Sequence, residues 1–178
     1  MLLNYTAPVF RMKKVAFLIL FFSLVVAPGY SQNEKLKAVV LYSFTRYVLW
    51  PESATTGDFE IKILGNSGLE EELKIMAQSK KVGNRNIRVT RVNGAGDIGS
   101  CHILVIPVSQ SARLEEMLVA LGDRPVLVVT EEPGLGAKGS DINFVDRDGR
   151  LAFELNQASV NKRKLKVSTE LTRLAILI

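Results

Sequence analysis

One cysteine and one histidine occur in 178 residues. A single thiol closes no internal disulfide. With one imidazole beside it, neither a zinc site of the usual composition nor a Cys–His dyad can be assembled. The nucleophile-elbow pattern G-x-S-x-G and the Walker phosphate loop are both missing. So are internal repeats, low-complexity tracts and linkers. Charge of one sign is scarce as well. Subtracting Arg11, Lys13 and Lys14, which lie in the first 31 residues, from 23 basic side chains leaves 20 against 18 acidic ones, a net charge of +2. That balance gives little reason to expect nucleic acid binding.

What is present begins with a secretory pattern. Lys13 and Lys14 precede an apolar run from Val15 to Ala27, followed by small residues, with Gly29 and Ser31 at the −3 and −1 positions of a cleavage site after Ser31. The 13-residue run is short of the ~20 residues that span a bilayer, which favours a cleaved signal over an anchor. No cysteine follows the run at the cleavage site, so the signal is not of the lipoprotein kind. Residues 1–11 carry no pattern of their own, and Met12 is a second candidate start. The expected organisation is a cleaved segment, residues 1–31, and one secreted domain over residues 32–178. Such a domain is long enough to build its own core without a disulfide. Cys101 opens the apolar run CHILVI and reads as a buried free thiol.

Residues 36–51, LKAVVLYSFTRYVLWP, predict a helix with no proper polar face. At ~100° per residue, Leu36, Val40, Phe44, Tyr47 and Val48 share one side. The opposite side carries Ala38, Tyr42, Leu49 and Trp50 where charge would be expected. A helix apolar almost all round is buried or covered by something else. Tyr42, Arg46 and Trp50 are therefore candidates for a partner surface, aromatic and arginine side chains being the usual anchors. The competing reading packs them under the last two helices.

Further along, strands are predicted over 59–65, 87–92, 102–107 and 126–129, with helices over 68–79 and from Leu114 to the stop at Gly122. Ser67 and Glu70 have capping-box spacing. KKVGNRN reads as a basic turn, and residues 142–155 as a hairpin turning at Asp148-Gly149. Asn156 caps a short helix to about Lys162, and Ser168 opens a last helix with Leu171, Leu174, Ala175 and Ile178 on one face. Continuous apolar runs such as ILVI and VLVV suit strands covered on both sides. The expected fold is α/β: a three-layer sandwich around a Rossmann-like, partly parallel sheet, with the hairpin at one edge and helices at the C-terminus.

Two segments match G-x-G-x-x-G, Gly94 to Gly99 and Gly134 to Gly139. A dinucleotide site needs the last glycine to open a helix facing the pyrophosphate. Both segments lead into strands instead and read as turns, so no cofactor is expected. His102, at a strand start, reads as a packed or hydrogen-bonded residue. Asp141, Asp146 and Asp148 read as hairpin and turn residues rather than metal ligands. Glu131 and Glu132 end a central strand, where open α/β sheets place ligands, and can equally be a solvated loop. Gly65, Ser109 and Glu131 together outline a candidate ligand crevice at strand ends. No residue set for catalysis emerges.

With those residues in view, the chain resembles the YfiR family of secreted bacterial regulators. The first helix carries its signature in Lys37-Ala38, Leu41-Tyr42, Phe44, Tyr47-Val48 and Trp50-Pro51. The family's L-G, C-H-I-L and P-V-L segments match Leu64-Gly65, Cys101 to Leu104 and Pro125 to Leu127. Phe153 to Asn156 matches F-E-I-N, and Leu165-Lys166, Ser168, Leu171 and Leu174-Ala175 match the closing motif. Two departures stand out. The first strand has no cysteine to pair with Cys101, and the family's G-G-M-I-G-F segment is the more polar Gly139 to Phe144. The resemblance implies a periplasmic protein without catalysis that binds and represses the sensor domain of a membrane protein, of diguanylate cyclase or histidine kinase type. It further implies release by an outer-membrane-associated protein, a link to biofilm formation, and homodimers. Two rivals from other classes are a small-molecule sensor using the crevice and an enzyme on a Rossmann-like sheet.

Overall fold

A computed structural model describes residues 29–178, with side chains from residue 32 onward. The segment read as a signal, residues 1–31, lies outside the described residues apart from the backbone of its last three. Ser31–Ile178 form one compact unit. Among the described residues no helix is long and apolar enough to cross a membrane.

The first helix, α1 (Gly29–Tyr47), leads into a two-residue strand, β1 (Val48–Leu49). The apolar runs then form β2 (Phe59–Leu64), β4 (Arg85–Val92), β5 (Ile103–Ile106), β6 (Leu127–Thr130) and β7 (Ile142–Arg147), all parallel neighbours. Their order across the sheet is β4-β2-β5-β6-β7, the 2-1-3-4-5 arrangement of doubly wound sheets. Connections leave β2 in one direction and β5 in the other. Right-handed crossovers therefore put α2 (Leu69–Ala77) on one face and α3 (Leu114–Leu121) on the other. Every residue of β5 and β6 is buried, as expected of strands sandwiched between layers.

The larger core lies under α1 and α2. There Phe44 is fully buried, stacked 6.0 Å from Phe144 and edge-on 5.3 Å from Phe153. The smaller core, under α3, joins Leu64, Leu104, Met117, Val128 and Leu135. Residues 131–141 return from the end of β6 to the start of β7 without a helix, through a 3-10 turn at Gly136–Lys138. A Cβ at Gly136 would lie 2.5 Å from Ile178 Cδ1 and 2.7 Å from Glu154 Oε2, so glycine lets this loop lie against β8 (Arg150–Leu155).

Several expectations are met in detail. Asn156 Oδ1 accepts from the Ser159 amide at the start of α4 (Gln157–Lys162), and Ser168 Oγ from the Leu171 amide at the start of α5 (Thr169–Leu174). Asp148 and Gly149 both have positive φ, the twist-matched hairpin turn. Both glycine-rich segments are turns.

Other expectations need correction. The hairpin is not the sheet edge: β10 (Ile176–Leu177) pairs parallel with β8 and lies outside it. The last helix accordingly stops at Leu174, because the following residues satisfy their backbone on an open sheet edge instead of continuing a helical face. The basic turn contains β3 (Lys81–Val82), antiparallel to the start of β4. The capping box does not close, since Glu70 turns away to Lys74 and Arg91 at 2.7 and 2.6 Å. The helix expected over residues 36–51 ends at Tyr47, Val48–Leu49 forming β1 instead, and on α1 the buried residues are Glu34, Ala38, Leu41, Phe44 and Thr45, while Leu36 is 48% exposed, so the inward stripe is rotated from the one expected.

Candidate functional site

In an open sheet of this order, ligands bind beyond the carboxyl ends of the strands, where the connections reverse direction. Here that point lies between β2 and β5. Gly65, Ser109 and Glu131 follow the ends of β2, β5 and β6, three adjacent strands. Gly65 has φ +70°, and Gln110 packs over it so closely that a Cβ at position 65 would meet its side chain at 3.0 Å. Ser109 is exposed. The first turns of α1 reach over the same end. Lys37 Nζ lies 3.0 Å from Glu34 Oε1 and 3.2 Å from Glu131 Oε1. Glu34 also approaches Gly68, just before α2. The crevice outlined by the three strand-end residues is thus occupied from inside by Gln110 and Lys37.

This corner is electrostatically unusual. The Lys37, Glu34 and Glu131 side chains are only 12%, 10% and 6% exposed. Burial pushes the Glu131 carboxyl above its ordinary range and Glu34 adds to the shift, while Lys37 and the Val108 backbone pull the other way. Burial disfavours the Lys37 ammonium, but Glu131 and Glu34 outweigh it, and the group is held above its usual value. Glu34 Oε2 and Glu131 Oε1 find no hydrogen-bond donor among the described residues; the 3.2 Å approach of Lys37 to Glu131 Oε1 falls outside hydrogen-bonding geometry.

At the opposite end of the sheet, where the parallel strands begin, the signature residues meet. Trp50 Nε1 donates to the His102 carbonyl at 3.3 Å, and its ring stands edge-on to Phe59 at 5.1 Å. His102 Nδ1 accepts from the Glu60 amide, and Nε2 lies 2.8 Å from both the Ala54 carbonyl and the Arg85 guanidinium. Burial, with Arg85 adding to it, holds this imidazole below its usual range. Arg85 in turn donates to the carbonyls of Gly57, Thr56 and Asp58 and ties down the loop after α1. Cys101 is buried and its thiol is pushed up to about 12 by desolvation.

Of the three residues expected to face a partner, Arg46 is exposed. Tyr42 and Trp50 are half-buried: the Tyr42 hydroxyl donates to the Lys81 carbonyl at 3.1 Å, and Trp50 is engaged as described. Asp141 is fully buried and paired with Arg163 at 3.1 Å, while Asp146 accepts from the Gly149 amide within the turn. Sequence reasoning passed over Glu34, Lys37 and Gln110. The signal available for the first two was a Glu and a Lys three apart at the head of an otherwise apolar helix.

A family model described as YfiR/HmsC-like matches residues 34–176. No curated protein matches the sequence.

Proposed function

The chain belongs to the YfiR/HmsC-like family, and on that premise we propose that it is a periplasmic, non-catalytic regulator of cyclic-di-GMP signalling. It acts by binding the periplasmic sensor domain of a membrane signalling protein, of diguanylate cyclase or histidine kinase type, and holding it inactive. An outer-membrane-associated protein relieves the repression, the output is biofilm formation, and the working form is a homodimer. The observation that carries the reading is the family match, which runs from Glu34 in α1 to the first residue of β10.

The state of the reactive side chains supports a role without catalysis. The one histidine has both ring nitrogens engaged, by the Glu60 amide and by the Ala54 carbonyl with Arg85, and the one cysteine is buried with a thiol near 12. Repression needs no chemistry. A regulator that prefers one sensor conformation by ~3 kcal/mol shifts the population more than a hundredfold. The contact surface is the outward side of α1 and β1, where Arg46 and the exposed Leu36, Val39 and Leu49 lie.

The test joins binding to output. The tagged secreted protein, cross-linked in intact cells and recovered from membranes, is expected to bring down a sensor protein with a periplasmic domain. Deleting the gene is expected to raise cellular cyclic-di-GMP, and Arg46→Glu to mimic the deletion while leaving the fold intact. Recovery of no membrane sensor, with cyclic-di-GMP unchanged by deletion, would refute the proposal.

A further inference from the structure

The corner where α1 meets the end of β6 holds two buried carboxylate oxygens without a hydrogen-bond donor among the described residues, Glu34 Oε2 and Glu131 Oε1, the latter 3.2 Å from the Lys37 ammonium. An unsatisfied buried acceptor carries its full desolvation cost, more so when charged. Lys37 donates to Glu34 Oε1 and offsets one of the two charges, so the ionised group is left with a net charge of one minus. A single added proton removes that imbalance and converts one carboxylate from acceptor only to donor.

Glu34 and Lys37 come from α1, the Val108 backbone and neutral Gln110, whose Oε1 accepts from Arg113 at 3.4 Å, from the segment after β5, and Glu132 follows Glu131 in the chain. Glu70, on the first turn of α2, is committed to Lys74 and Arg91. Among the described residues Lys37 is the cation within ion-pairing distance of Glu34 and Glu131, Arg113 being engaged with Glu116. The same turns of α1 carry Leu36 and Val39 outward, 48% and 57% exposed. What holds these turns therefore also holds an apolar surface in place.

We propose that the Glu34–Lys37–Glu131 group is a proton-operated latch: uptake of one proton by the Glu131 carboxylate fastens the first turns of α1 to the end of β6, and loss of that proton loosens them. The direction follows from linkage. The Glu131 carboxyl is raised in the folded protein, so its stabilising contribution is complete below the ordinary carboxylate range and is lost as pH rises through the raised value. The latch is independent of partner identity and of the regulatory reading above.

Amide hydrogen exchange of the secreted protein, corrected for the intrinsic pH dependence of exchange, reads the latch directly. In wild type, protection of residues 33–41 is expected to rise several-fold between about pH 7.5 and about pH 5, a window reaching from neutrality to just above the free carboxylate range. Glu131→Gln supplies a neutral donor of the same shape. It is expected to show the acid level of protection at both pH values, while the amides of α3, on the far face, stay unchanged. Glu34→Gln, which also removes the charge imbalance, is a second variant that should lose the pH response. Circular dichroism confirms that each variant is folded. Protection of residues 33–41 that is the same at both pH values in wild type overturns the latch, and so does a full pH response retained in Glu131→Gln.

Discussion

Replacing Trp50 with alanine removes an indole that is half-buried between β2 and the loop after α1. A fully buried tryptophan truncated to alanine costs ~3–5 kcal/mol. Half burial brings the packing loss to ~2 kcal/mol. The edge-on contact with Phe59 at 5.1 Å and the 3.3 Å bond to the His102 carbonyl contribute about another 1 kcal/mol together, the bond being long. A total of about 3 kcal/mol corresponds to a fall in Tm of roughly 6–12 °C for a domain of this size. Trp50→Phe keeps a ring against Phe59 but has no donor, and should lose about 1 kcal/mol. Because Trp50 is the sole tryptophan, urea unfolding of the variants is followed by far-UV circular dichroism. The expected signature is a lower midpoint with an unchanged slope. If Trp50→Ala unfolds within ~0.5 kcal/mol of wild type and yet fails to recover the membrane partner, the reasoning is refuted and Trp50 belongs to the contact surface.

The remaining predictions concern buried charge and the two singular side chains. Arg163→Met strands the Asp141 carboxylate, whose other partners are the Val128 amide and the Ser159 hydroxyl. It should cost ~3–5 kcal/mol in urea unfolding, and adding Asp141→Asn should recover part of that loss. The Cys101 thiol, near 12, should react with thiol reagents only after unfolding; labelling of the native protein at the rate of a free cysteine would contradict its burial. The C2 proton of His102, the only histidine, should titrate by NMR below the ordinary imidazole range. Its folded value is depressed, so its contribution to stability is present above the unfolded value and lost as pH falls through the folded one. His102→Asn should flatten that part of the pH profile.

Local physics was legible wherever a side chain acts on its own backbone. Asn156 and Ser168 cap helices, Gly122 ends one, and Asp148-Gly149 turns a hairpin, because each interaction closes within four residues. The strands of the parallel sheet were legible for a related reason. A run such as ILVI, apolar at every position, fits only where both faces are covered. The candidate crevice was legible as a place, since strand ends can be ordered from a topology, but its contents were not. Lys37 and Gln110 fill it from elements 94 and 45 residues away from Glu131 and Gly65, and no local pattern encodes such separations. Ser67 and Glu70 show the converse: correct capping spacing was overridden when Arg91, on a neighbouring strand, offered Glu70 a stronger charged partner.

The first helix divides the two kinds of knowledge most sharply. Its sequence by itself determined that a helix forms here and that it must be covered, because no arrangement of LKAVVLYSFTRYVLW yields a charged face. Only the tertiary structure decided which side turns inward. An amphipathic helix announces its phase through the contrast between its faces, and this one has almost none. Its phase is set instead by Phe44 seating between Phe144 and Phe153, by Tyr42 reaching the Lys81 carbonyl and by Lys37 reaching Glu131, contacts made with residues 39 to 109 positions further along the chain.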